Sequence, residues 1–323
     1  MKPTCLTFNA LVKKLAKVKS AIILMHRSPD PDTIGSAAAL RIILEKNGAA
    51  PVDISCADAV ADKLSFLTDK APVAFTDKYE KIITVDVASP PQLGAYSYLA
   101  DRVYISIDHH ESHEHFARYC YDDYRASCSE IIYDIAKEFS CNTEVALLRA
   151  IYGGMCGDTG CFKYSNTTAQ THMTAAEILS QNKIDHADIA RVIFDCHTIS
   201  ELRGQTVAYK NMKFYEDGKI AGIVFTTVLK EQYGISDGDI SNIVDYVRAI
   251  EGVLVAFSLK EVEDGKYSLS TRANCDIDVS AACRLLGGGG HPRAAGATVF
   301  AKDEFEAEEK VLRALEAVLP WKK

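Results

Sequence analysis

The feature that most constrains this chain is a recurrence: short, mostly apolar runs end, one after another, at residues suited to binding metal ions. Ala21 to Met25 leads directly to His26, Asp30 and Asp32. Ile82 to Val85 stops at Asp86, Val103 to Ile107 stops at Asp108, His109 and His110, and a fourth stretch ends at Asp158. A continuous apolar run of this length, bounded by polar residues, marks a strand buried on both faces. Between the runs lie helical patterns. Gly35-Ser36 opens a helix over Ala37 to Lys46 that Asn47-Gly48 stops, and further helices are expected over Ser129 to Phe139 and Thr143 to Tyr152. This alternation predicts an α/β fold with a mainly parallel, doubly wound sheet. In such sheets ligands gather outside the carboxyl ends of the strands, so His26, Asp86 and Asp108 fall on one rim. Four such stretches describe an oxygen-rich site for two divalent cations, which is a hydrolytic phosphate centre.

The 323 residues are enough for two domains. Residues 1–184 carry the βα alternation, and 185–213 read as a linker of helical composition. Residues 214–323 read as a smaller α/β domain with strands near Lys219 to Thr226, Val253 to Leu259 and Tyr267 to Ala273, a helix around Ile240 to Ile250, and a hairpin turn at Asp264-Gly265. The net charge of −8 gives no basic field for long duplex nucleic acid, although clustered carboxylates holding cations would still receive a small polyanion. Ten cysteines show no CxxC pair or zinc spacing and read as reduced thiols. The first 19 residues carry five lysines and no cleavage signal, and no apolar run spans a bilayer, so a cytoplasmic protein without membrane partners is expected.

Taken singly, each polar stretch has a mundane reading. Asp30-Pro31-Asp32 on an extended backbone turns both carboxylates to one side, or it is a turn in which Asp32 or Thr33 caps the next helix. Asp86 alone is an ordinary strand end. Adjacent His109 and His110 on an irregular segment cannot point the same way, which suits one metal ligand and one group facing substrate; they also read as a polar loop. Asp158 sits among glycines that allow close backbone approach. His113 and His115 match no pattern and read as surface residues. The run Gly287 to Gly290 fits neither a helix nor a strand interior, and it reads as a place where backbone amides come close to a ligand or as a flexible turn.

Jointly, His26-x3-Asp30-x-Asp32-x2-Gly35-Ser36, Asp86, Asp108-His109-His110 and Gly157-Asp158-Thr159-Gly160 resemble the four motifs of the DHH phosphoesterase superfamily. Gly287-Gly-Gly-Gly-His291-Pro-Arg293-Ala-Ala-Gly296 resembles the signature of its associated DHHA1 domain. The resemblance implies that His26, Asp30 and a bridging Asp86 hold one ion, and that Asp32, Asp86, His109 and Asp158 hold the other. It implies that Asp108 orients a ligand and that His110 faces the phosphate. The ions would be Mn²⁺, with Mg²⁺ or Co²⁺ as alternatives. Arg272, Gly288, Gly289, Gly290, His291 and Arg293 would bind substrate, arginine being suited to bidentate phosphate contact. Pro31 stands where many relatives have a small residue, and it stiffens the loop without removing a ligand.

Length then points within the superfamily to the stand-alone two-domain branch. Those members degrade oligoribonucleotides of two to five units and remove the 3′-phosphate of adenosine 3′,5′-bisphosphate (pAp). The runner-up is a soluble phosphodiesterase for cyclic di-AMP or linear pApA, and a homodimer is compatible with the resemblance.

Overall fold

The computed structural model describes residues 3–274 and 276–319, so Cys275 lies outside the described residues. It divides into two units, Met1–Cys196 and His197–Lys323.

The first unit is built on six strands: β1 (Thr4–Cys5), β2 (Ala21–Leu24), β3 (Val52–Ser55), β4 (Lys81–Val85), β5 (Val103–Asp108) and β6 (Tyr119–Asp122). Their order is β1-β6-β5-β4-β2-β3, and every pairing is parallel. Alternate residues of β2 enter different cores. Ala21 and Ile23 pack with α1 (Phe8–Leu15), α2 (Pro31–Lys46), α3 (Cys128–Glu138) and α4 (Val145–Thr159). Ile22 and Leu24 pack on the opposite face with Leu93, Leu99 and Val103, where short 3-10 turns across residues 90–102 form the cover. Burial on both sides explains the unbroken apolar run of β2 and the largely apolar run of β4, whose buried Thr84 bonds Ser106 Oγ at 2.9 Å. β1, β3 and β6 were not expected from the sequence: two to four residues with interspersed polar side chains carry too little periodicity.

Helix α2 starts four residues earlier than the glycine at position 35 suggests. Asp30 is its N-cap, accepting hydrogen bonds from the amides of Asp32 and Thr33 at 3.0 Å each, and Pro31 occupies the first turn, where its missing N–H costs nothing. Asp30 and Asp32 are therefore separated by the turn from extended to helical backbone. They do not lie on one extended strand.

Helix α4 runs on through Gly153-Gly154 to Thr159, so Asp158 lies in the last turn of a helix and does not follow a strand. Close packing requires those glycines. A Cβ on Gly35 would stand 2.3 Å from the carbonyl oxygen of Ala150, one on Gly154 would stand 2.0 Å from Ser129 Oγ, and one on Gly157 would meet Pro31 at 2.7 Å. Backbone contact between α2 and α4 thus replaces side-chain contact, and it carries Asp158 to Asp32.

After α5 (Ala169–Ser180) and α6 (His186–Ala190), Arg191–Asp195 winds as a π turn. The second unit contains α7 (Ile199–Asn211), β7 (Lys213–Tyr215), β8 (Ile220–Phe225), α8 (Thr227–Tyr233), α9 (Ile243–Arg248), β9 (Val255–Glu263), β10 (Lys266–Ala273), α10 (Val279–Leu285), β11 (Gly289–His291), β12 (Ala294–Phe300) and α11 (Glu304–Glu316). Its sheet runs β11-β12-β10-β9-β8-β7, and only β8 and β9 pair in parallel. α10 and α11 cover one face, and α7 and α9 cover the other. Gly265 makes the β9–β10 turn with φ 69°. The glycine run departs from expectation, because Gly289–His291 is an edge strand paired to β12. A Cβ on Gly288 would lie 2.1 Å from Gly296 O and one on Gly290 2.6 Å from Ala295 Cα, so these glycines admit the neighbouring strand. Among the described residues no helix is long and apolar enough to cross a membrane.

Candidate metal centre

Each metal-grade side chain on the rim of the first sheet is fixed by a contact on its far side. His26 follows β2, and its Nδ1 lies 2.8 Å from the Arg27 carbonyl. A carbonyl only accepts, so Nδ1 carries the proton and Nε2 is the atom turned to the carboxylates, 3.5 Å from both Asp30 Oδ2 and Asp86 Oδ2. The same holds for His109 after β5. Its Nδ1 donates to Arg125 O at 3.1 Å, and Nε2 stands 3.2 Å from Asp158 Oδ2, 3.3 Å from Asp86 Oδ1 and 4.0 Å from Asp32 Oδ2.

Asp86 is the hinge of the arrangement. It takes a left-handed φ of 57°, which Asp tolerates better than most residues, and its amide is held by Ile107 O at 3.0 Å. One carboxylate oxygen faces the His26 and Asp30 group and the other faces the His109, Asp32 and Asp158 group. Asp32 is buried, with Oδ2 accepting from the Cys128 amide at 2.7 Å and Oδ1 from the Ser129 amide at 3.0 Å, both at the start of α3. Asp108 accepts from the His109 amide at 2.8 Å and from His110 Nδ1 at 2.8 Å, which fixes the His110 ring. The His109 and His110 rings were expected to point apart, but they lie 4.4 Å apart between centroids with planes at 58°, and each brings a nitrogen near Asp86 Oδ1, His109 Nε2 at 3.3 Å and His110 Nδ1 at 3.6 Å.

The charges are unbalanced. Burial, then the nearby Asp86, push the Asp32 carboxyl up to about 7. Burial and the charges of Asp32 and Asp30 raise Asp158 well above the usual carboxylate range. Burial acts against the charge on His26, but hydrogen bonds to Asp30 and Asp86 outweigh it and raise the imidazole to about 12. Burial would likewise raise Asp86, yet His109 and His26 on its two sides hold it well below its ordinary value.

These residues fit two divalent cations. Asp86 Oδ1, Asp108 Oδ2 and His109 Nε2 are buried, and none makes an aligned hydrogen bond among the described residues. His109 Nε2 lies at ion-pair distance from three carboxylates, those of Asp32, Asp86 and Asp158, without donating squarely to any of them, as atoms do when they converge on a common point. Four carboxylates with one imidazole in each group suit hard to borderline divalent ions. The pocket above them holds about 190 Å³ and is lined by His26, Asp30, Asp86, Gln92, His110 and Asp158.

Gln92 was missed in the sequence. Its Oε1 accepts from the Ala88 amide at 2.6 Å and its carbonyl from the Arg27 amide at 2.6 Å, joining the loops after β2 and β4. Ser89-Pro-Pro-Gln92 is a capping-box pattern that could have located it. His113 is a correction: it is buried, with a side chain 2% exposed, and does not lie at the surface, whereas His115 is 40% exposed.

The expected substrate residues lie in the second unit. Arg272 on β10 and His291 on β11 both stand opposite Ala294 of β12, so they share a face of the sheet. Arg272 Nε lies 3.3 Å from Asp245 Oδ1. Arg293 pairs with exposed Asp276 at 2.6 Å. Gly289 and Gly290 run along the same edge, with Gly288 just before it.

Residues 20–155 match the family model described as DHH family, N-terminal domain, and residues 206–320 match that of the DHHA1 domain. A Streptococcus mutans protein named "Probable bifunctional oligoribonuclease and PAP phosphatase NrnA" is 30% identical over 93% of this chain and 96% of its own length. A Bacillus subtilis protein named "Bifunctional oligoribonuclease and PAP phosphatase NrnA" is 27% identical over 92% of this chain and 94% of its own. The crystal structure of an exopolyphosphatase-related protein from Bacteroides fragilis superposes with a TM-score of 0.86 at 25% identity, covering 96% of this chain and 95% of that one. With two sets of ligand-grade side chains sharing Asp86 on the rim of a parallel sheet, and with that kinship along nearly its whole length, the chain belongs to the DHH phosphoesterase family, with a DHHA1 domain at its C-terminal end.

Proposed function

We propose that this chain hydrolyses oligoribonucleotides of two to five units to mononucleotides and removes the 3′-phosphate of pAp, with Mn²⁺ as its preferred ion. The observation that carries the reading is the division of the Asp86 carboxylate between two ligand groups, His26 with Asp30 on one side and Asp32, His109 and Asp158 on the other. Relatives carrying the oligoribonuclease and PAP phosphatase name match along nearly their whole length. Two cations held there supply Lewis-acid polarisation of a phosphoryl oxygen and a nucleophile at neutral pH.

The chain's own residues position and neutralise. His110 forms part of the pocket wall, with Nδ1 fixed by Asp108. Burial works against its charge, but the Asp108 hydrogen bond and the Asp86 charge raise its pKa, a shift in the direction that favours hydrogen-bond donation to a phosphate. Gln92 keeps the loops that carry His26 and Asp86 in register. Arg272, Arg293, His291 and the Gly288 to Gly290 edge are proposed as contacts to substrate phosphate and base. An acidic chain offers no extra contacts to a longer polyanion, which favours short substrates.

The test is a Mn²⁺-dependent panel of pApA, 5′-phosphorylated RNA of three and 24 units, pAp, cyclic di-AMP and pyrophosphate, with Asp86→Ala as control. Rapid loss of pApA, the trimer and pAp is expected, together with a silent Asp86→Ala. Preference for cyclic di-AMP would transfer the chain to second-messenger turnover. Intact dinucleotide and pAp would refute the reading.

A further inference from the structure

We propose that His113, His115 and Asp122 form a second, separate metal site on the first unit, one that takes a Zn²⁺-class ion. None of the three belongs to the Asp86 centre. His113 Nδ1 lies 2.9 Å from Asp122 Oδ1, and His115 Nε2 lies 3.1 and 3.2 Å from the two Asp122 oxygens. All the donor atoms fall within 4.8 Å of one another. A tetrahedral zinc ion with bonds of about 2.0 to 2.1 Å needs its ligand atoms roughly 3.3 Å apart, a spacing that each histidine nitrogen already approaches with Asp122.

The surroundings supply what such a site requires. His113 is the buried anchor, and its other nitrogen, Nε2, lies 3.0 Å from Ser106 Oγ, which bonds Thr84 Oγ1 at 2.9 Å. Metal-bound histidines typically donate that second N–H to a fixed polar partner, and the buried Ser106 hydroxyl can accept it, leaving Nδ1 for an ion. Burial acts to raise the Asp122 carboxyl, but the hydrogen bonds of His113 and His115 prevail and keep it below the usual range, so it is present as a carboxylate. His115 is 40% exposed and Asp122 21% exposed, which leaves an entry path and room for water as a fourth ligand. His115 reaches Asp122 from a left-handed backbone, φ 50°.

Two imidazoles and one carboxylate make a softer donor set than the carboxylate-rich Asp86 centre, and they select zinc, copper or nickel over manganese or magnesium. The segment between β5 and β6 is already tied down, His113 N to His110 O at 3.2 Å and Glu114 N to Ala88 O at 2.8 Å. An ion here would therefore pin the loop that leaves His109 and His110 to strand β6.

The experiment uses the full chain, stripped of metal, loaded with ZnCl₂, desalted and measured for zinc per chain by plasma mass spectrometry. His115→Ala and the near-isosteric Asp122→Asn are compared with wild type. The expected result is one equivalent of zinc fewer in each variant, with Mn²⁺-supported hydrolysis retained. Co²⁺ provides an independent reading, because a tetrahedral site gives an intense visible absorption that both variants should lose. Equal zinc stoichiometry in all three proteins, or a weak Co²⁺ spectrum indifferent to the substitutions, would reduce the cluster to a hydrogen-bond network and overturn the proposal.

Discussion

Gly154→Ala is a one-methyl perturbation that joins packing to the metal centre. The new Cβ would lie 2.0 Å from Ser129 Oγ and 2.8 Å from Asp32 Oδ1. Ordinary contact begins near 3.4 Å, so the hydroxyl must move by roughly 1.4 Å and the carboxylate by roughly 0.6 Å. Neither is free to move, because Ser129 Oγ bonds Ser36 Oγ at 3.1 Å and Asp32 Oδ1 accepts the Ser129 amide at 3.0 Å. Alanine in a helix interior is favoured over glycine by about 1 kcal/mol, whereas overpacking a tight core costs about 1 to 3 kcal/mol. The balance is a loss of about 1 kcal/mol, read as a fall of about 2 to 4 °C in melting temperature for a unit of this size. Activity should fall much further, by about 100-fold, because misplacing a catalytic group by a fraction of an ångström to 1 Å is that costly. The matched control is Gly153→Ala on the preceding residue, whose Cβ would meet Leu67 Cδ2 at 2.2 Å, the tip of a side chain, with no acidic residue among its nearest contacts. Melting curves and Mn²⁺-dependent pApA hydrolysis on both variants decide the matter. If Gly154→Ala loses no more activity than Gly153→Ala, the packing of α4 does not position Asp32 as described.

Asp108→Asn should lower hydrolysis about 10- to 100-fold while leaving the metal content unchanged, since it removes the charge that orients His110; loss of bound metal would show instead that Asp108 is a ligand. Apparent Mn²⁺ affinity should rise with pH between about 6 and 8. The metal-free centre holds protons on His26, raised to about 12, and on Asp32, raised to about 7, and an incoming cation must displace them. Calorimetry at the two ends of that range that found equal affinities would refute this. In the second unit, Gly290→Ala would press a methyl to 2.6 Å from Ala295 Cα and should detach β11, raising KM for pApA more than it lowers kcat; an unchanged KM would remove this edge from substrate binding.

Legibility in the sequence followed burial. β2 and β4 were readable because both of their faces are covered and their residues are all apolar in β2 and mostly apolar in β4, and the first three ligand stretches were readable because they follow such runs or the comparable run of β5. β1, β3 and β6 were not, since an edge or near-edge strand of two to four residues with polar positions has no distinctive period. His113 shows the same limit at a single residue. Nothing beside it in the chain reveals that Ser106 and Asp122, seven and nine residues away, enclose it from two strands.

The sequence alone thus determined the class of fold, the order of the ligands along the chain and the kind of ion they suit, because periodicity and donor chemistry are local properties. Tertiary structure alone decided which oxygen of Asp86 serves which group, that Asp158 arrives on a helix through glycine-to-backbone contact, and that Gly289–His291 completes a sheet edge. Those outcomes depend on distances between segments far apart in the chain, and such distances are set only when the core packs.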